Sequence, residues 1–129
     1  MLVSVRCNAG TFDALTTSIQ FNLDVDQDPG TGDPFEGLGV DYMIDMGSSF
    51  YAGQARVTHF VGGTYQTVGI VPISVISTGI DVGVPLSLVG NDDGRMKFRV
   101  SAAYYLGRNG FSTALDYMPD RGTSAAVVQ

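Results

Sequence analysis

Apolar and polar residues alternate along most of this chain with a period of two, the signature of half-buried strands. In TTSIQFNLDVD (16–26), Ile19, Phe21, Leu23 and Val25 fall on one face, and Gln20, Asn22, Asp24 and Asp26 on the other. VDYMIDM (40–46) repeats the pattern, with Val40, Tyr42, Ile44 and Met46 opposing Asp41, Met43 and Asp45. SFYAGQARVTHFV (49–61) predicts a strand closing at Gly62-Gly63, a two-residue hairpin signal before TYQTVGIV (64–71). ISVISTGIDVGVPL (73–86) predicts a second hairpin turning at Ser77-Thr78-Gly79. After the tight turn NDDGR, the run MKFRVSAAYYL points Met96, Phe98, Val100, Ala102 and Tyr104 inward, and TSAAVV (123–128) supplies a last strand. The candidate core is Phe21, Leu23, Ile44, Phe98 and Val100, expected on facing sheets. VPLSLVG offers one short helical turn, preset by Pro85 and ended by Gly90.

Short strands between glycine-rich turns predict an all-β fold, a single antiparallel β-sandwich of jelly-roll type over residues 1–129, with little or no helix. Composition agrees. Only 16% of the residues are charged and 17 are glycine, which suits an extracellular β domain better than a helical cytosolic one. A net charge of −6 makes nucleic acid and anionic membranes poor partners. Arg95, Lys97 and Arg99 alternate along one strand and read as a solvated face. No stretch reaches the length of a membrane span and no apolar leader opens the chain, so we expect no membrane insertion. The single cysteine, Cys7, shares a face with Val3 and Val5 and reads as a buried, inert thiol.

The chemistry concentrates where the backbone turns hardest. LDVDQDPGTGDPFEGLGVDY (23–42) carries Asp24, Asp26, Asp28, Asp33, Glu36 and Asp41 among four glycines and two prolines. Asp24, Asp26 and Asp28 have the alternate spacing that lets carboxylates converge on a hard cation, and calcium takes six to eight oxygens. The EF-hand pattern is broken, because Pro29 stands at the sixth loop position, Phe35 at the twelfth, and a strand precedes the loop. Strand geometry gives another route: Asp24 and Asp26 lie on one face, about 6.5–7 Å apart. Asp41, opening the next strand, can return to face them. The competing reading is a solvated turn in which Asp side chains cap loop amides without a metal.

Three segments, LDVDQDPGTG…GVDYMIDM, VPLSLVGNDDGRMKFRV and LDYMPDRG, together resemble bacterial extracellular β-sandwich domains of the DOMON-like and family 9 carbohydrate-binding-module-like group. Their order matches from about residue 19 to 122. The resemblance implies a secreted or cell-surface, non-catalytic module belonging to a larger secreted protein. Carried over residue by residue, it adds Asp116 and Asp120 to Asp24, Asp26 and Asp41. The expected metal set is therefore Asp24, Asp26, Asp28, Asp41 and Asp120, with Ca²⁺ as the cofactor.

This chain departs from sugar-binding members in having no tryptophan. Any ring that stacks on a sugar must then be tyrosine or phenylalanine. The candidates are Tyr51, Tyr65 and Tyr105, with Gln54 and Arg56 as nearby hydrogen-bonding groups; core packing is the alternative for each ring. Catalysis finds no support. His59 is the only histidine, no nucleophile elbow accompanies it, and zinc would need more His or Cys. The expected function is a calcium-stabilised module attaching a parent protein to polysaccharide. The alternative is a structural or adhesive domain whose partner is protein or a further copy of itself.

Overall fold

The computed structural model describes residues 1–47, 53–90, 93–105 and 112–128. The chain is all-β with antiparallel pairing: β1 (Leu2–Arg6), β2 (Thr17–Asp24), β3 (Asp33–Phe35), β4 (Leu38–Val40), β5 (Tyr42–Gly47), β6 (Gln54–Val61), β7 (Thr64–Ile76), β8 (Gly79–Gly83), β9 (Met96–Tyr105), β10 (Ser112–Met118) and β11 (Ala126–Val128). Its only described helical element is a 3₁₀ turn, Leu86–Val89, ended by Gly90 in the left-handed conformation. That is the short turn the Pro85 and Gly90 positions predict.

One hydrogen-bonded path runs β1-β8-β7-β6-β5-β2-β9-β10, and β11 joins β9 beside β10. The sequence splits Thr64–Ile76 into two strands at Pro72, yet the structure makes one. Thr64–Pro72 pairs with β6 and Ile73–Ile76 with β8, so Pro72 sits where the strand changes neighbour. A residue without an N–H is tolerated at such a handover. The turn at Gly62-Gly63 is as expected, both residues having positive φ between the paired Val61 and Thr64.

The path curls over itself. Val3, Val5, Ile80 and Val82 of β1 and β8 share one apolar cluster with Ile19, Phe21, Leu23, Ile44, Met46, Val57 and Val100. Met1–Ser4 line a cavity together with Phe21, Leu23, Met96 and Phe98, so β1 lies over β2 and β9 without bonding to them. Where two separate sheets were expected, the core is thus enclosed by one continuous sheet bent at β7.

The expected core residues are inside, with Phe98 half-buried and stacked on Phe21 at 5.9 Å. They do not oppose each other, however. β2, β5 and β9 are adjacent strands, and what faces these residues is β1 and β8.

The polar faces hold a second surprise. Asn22, Asp24 and Arg99 all point away from the main core, yet each is buried. The β3–β4 hairpin supplies the cover: β4 packs against β2 and β9, with Leu38 and Val40 buried outside the main cluster. Arg99, expected in solvent, is 0% exposed. Cys7 is half-buried just beyond β1, and burial, with Asp116 nearby, pushes its thiol up, away from the reactive thiolate.

Candidate metal centre

β2 ends at Asp24, and the chain then turns through residues 25–32 before entering the β3–β4 hairpin. That hairpin reverses at Glu36-Gly37, both at positive φ between the paired Phe35 and Leu38. Two positive-φ residues give the primed turn whose twist suits a two-residue connection. The return strand brings Asp41 back beside the end of β2: the Asp41 amide donates to the Leu23 carbonyl at 2.8 Å. In turn the Val25 amide donates to Asp41 Oδ2 at 2.9 Å.

The loop is self-bonded. Asp26 Oδ1 accepts the Asp28 amide at 2.9 Å and its Oδ2 the Thr31 hydroxyl at 2.8 Å. Asp28 Oδ1 accepts the Gly30 amide at 2.8 Å. β4 presses against this loop so closely that a β-carbon at Gly39 would run into the carbonyl oxygens of Asp28 and Thr31. Only glycine fits there.

The outcome is a convergence of Asp24, Asp26 and Asp41, one carboxylate oxygen of each lying within 4.8 Å of the others. Asp24 is fully buried; its Oδ2 accepts the Gly39 amide at a long 3.4 Å, and its Oδ1 has no hydrogen-bond partner. An unpaired buried carboxylate oxygen is costly. A cation between the three aspartates would satisfy it. All the donors are hard oxygens, with no Cys or His among them, a set that suits a hard cation such as magnesium, calcium or manganese over zinc or copper.

Electrostatics separates the three. Burial raises Asp24 and Asp41 above the ordinary carboxylate range, whereas hydrogen bonds from the Asp28 amide and the Thr31 hydroxyl lower Asp26. In chelator, NMR titration of the carboxyl carbons should therefore show Asp24 and Asp41 protonating at higher pH than Asp26. For Asp24 and Asp41 the folded state holds the proton more tightly than the unfolded chain does. Their contribution thus favours folding on the acid side and fades as pH rises through their folded values. Asp26 contributes in the opposite sense. An order with Asp26 highest would contradict this geometry.

The other candidate residues do not join this group. Asp28 caps its own turn at the exposed end of the loop. The exposed Asp120 offers its backbone carbonyl to Arg99 and to Thr123, not its carboxylate to the cluster. Tyr51 lies outside the described residues, as does the Tyr105 side chain, although its backbone completes β9.

Tyr65 is half-buried, its ring against Phe60 and its hydroxyl donating to Asp33 at 2.9 Å. Burial and that carboxylate push its pKa far up. Tyr65→Phe should cost about 1.5 kcal/mol in a urea melt, the value of a hydrogen bond to a charged acceptor; a free platform ring would cost nothing. Arg56 pairs with Asp45 at 2.9 Å, and Gln54 is exposed at the start of β6. Tyr65 sits opposite Phe60, six residues along β6 from Gln54, or about 20 Å. These three do not form one surface.

A feature that sequence reasoning missed lies beside the aspartates. Tyr42 and His59 face each other across β5 and β6 and stack at 4.3 Å with 8° between the rings. They border a cavity of about 170 Å³ that Asp26 and Asp41 also line. The lone histidine was its one sequence signal. No protein-family model, curated protein or solved structure matches this chain.

Proposed function

We propose that this chain is a non-catalytic extracellular binding module in which one calcium ion, held by Asp24, Asp26 and Asp41, fastens the 25–39 loop, and that the module attaches a parent protein to polysaccharide. The observation that carries this reading is the buried, unpartnered Oδ1 of Asp24 beside two further carboxylates. Three carboxylates, from the end of β2, the glycine-rich loop after it and the residue leading into β5, suit the calcium levels outside cells, where modules bind with Kd of about 10⁻⁴–10⁻³ M. The resemblance to secreted DOMON-like and carbohydrate-binding-module-like domains points the same way. The acidic balance and the lack of a helix long and apolar enough to cross a membrane among the described residues go with it.

A second reading, an adhesive or structural domain with a protein partner, is favoured by the outer face of β7. There Val68 and Ile70 are 40% and 55% exposed, with Leu86 of the 3₁₀ turn also exposed at 39%. Native gels cast with plant and bacterial glycans, run with calcium and with chelator, separate the two. Calcium-dependent retardation supports the module. Concentration-dependent assembly without glycan supports the second reading, and unretarded migration through every glycan with calcium present defeats the first.

A further inference from the structure

We infer that the cation does more than fasten the loop: it is itself the ligand-binding atom, taking two vicinal hydroxyls of one neutral sugar residue seated in the Tyr42–His59 cavity. This rests on the calcium reading above. The first argument is coordination. Calcium takes six to eight oxygens, and the three aspartates offer one ligand atom each. Their remaining oxygens are engaged: Asp24 Oδ2 with the Gly39 amide and Asp41 Oδ2 with the Val25 amide. Both oxygens of Asp26 also accept bonds from the loop, which leaves the one turned to the ion a single lone pair to give it. With one oxygen from each aspartate, at least half the shell comes from outside the carboxylates, and two of the three, Asp26 and Asp41, line the cavity.

The second argument is shape. The walls are Val25 and the Tyr42–His59 pair, with Gly90 at the rim. The ring pair is a directly opposed cross-strand pair, so the sheet fixes it before any ligand arrives. A side chain at Gly90 would press on the Tyr42 hydroxyl at 3.2 Å and crowd the opening. At about 170 Å³ the cavity is smaller than the ~300–1,000 Å³ of drug-sized pockets and holds a single ring. Tyr42 is buried and backs the half-buried His59, which is the ring left for a pyranose, with the carboxylates of Asp26 and Asp41 alongside.

The third argument is charge. Three carboxylates around one divalent ion, with the Lys97 ammonium near enough to act on Asp24 and Asp26, leave the site close to neutral on a protein whose net charge is −6. An anionic ligand gains no attraction there and meets the acidic balance of the whole protein, while a neutral diol chelates the ion and leaves the imidazole of His59 to bond a further hydroxyl.

Terbium tests this, because it takes calcium's oxygen sites and is sensitised by a nearby tyrosine; its luminescence lifetimes in H₂O and D₂O count the waters bound to it. Terbium on the full chain should carry at least two waters. Methyl mannoside, methyl galactoside or methyl glucoside, at high millimolar concentration, should remove two of them. His59→Ala should keep the terbium signal and lose the sugar effect. A water count unchanged by all three glycosides overturns the inference while leaving the metal reading intact. Waters displaced by acetate and not by glycosides overturn it too. If His59→Ala still shows the sugar effect, the assignment to this cavity fails. Absence of any bound terbium overturns the metal reading and this inference together.

Discussion

Arg99→Ala should lower the unfolding free energy by about 3 kcal/mol in urea melts, although an arginine on the polar face of a strand is usually expendable. This side chain is wholly buried. Nη1 donates to the carbonyls of Pro119 and Asp120, and Nη2 to that of Thr123 at 2.7 Å. The guanidinium thereby ties residues 119–123 to the sheet, just before the chain returns to pair β11 with the start of β9. Alanine leaves three carbonyls to find water and a void where the side chain lay. Arg99→Lys should recover part of the loss only, since a compact ammonium cannot span carbonyls from both of its sides as the planar fork does. Protection of the Ala126–Val128 amides from hydrogen exchange should fall in both variants. A melt like that of Lys97→Ala, whose ammonium donates to the Gln27 carbonyl at an exposed site, would show that the clamp does not matter.

Arg99 also marks where the sequence stops being readable. Alternation fixes which face a residue takes, and it assigned β2, β5 and β9 correctly because each buries one side in the common core: Ile19, Phe21, Ile44, Met46 and Val100 are all inside. It says nothing of what covers the opposite face. Asn22 and Arg99 are cross-strand partners on that side, as are Asp24 and Lys97, and a local hairpin closes over part of it. The hairpin was invisible because β3 and β4 have three residues each, too short for any period to register. Two of the carboxylates were marked by their place at the end of β2, and the third by its place at the start of the next strand. Asp28 shared the same spacing, but its turn needed its side chain. The Tyr42–His59 pairing depended on the register between β5 and β6, which no local pattern carries. Likewise β7 read as two strands because the proline that interrupts the pattern is the point where the neighbouring strand changes.

Asp24→Asn should reverse sign with calcium. In calcium at a hundredfold excess over Kd, about 10–100 mM for a Kd of about 10⁻⁴–10⁻³ M, the ion stabilises the native state by about 2.7 kcal/mol. For a domain of this size that is on the order of 10 °C in melting temperature. The wild-type protein should lose this on addition of chelator. The variant, with an amide in place of the buried carboxylate, should show no difference between the two conditions. Without calcium, however, the variant should be at least as stable as the wild type. Asp24 is buried within 4.8 Å of Asp26 and Asp41, so the metal-free protein holds a desolvated charge beside two others of the same sign. Neutralising it removes that repulsion while keeping an oxygen for the Gly39 amide. A structural carboxylate without a metal would behave otherwise: Asp24→Asn would change stability equally in calcium and in chelator. Thermal melts of both proteins in both conditions are four measurements, and parallel shifts across them would refute the metal centre, because only a bound cation makes the same charge stabilising in one and destabilising in the other.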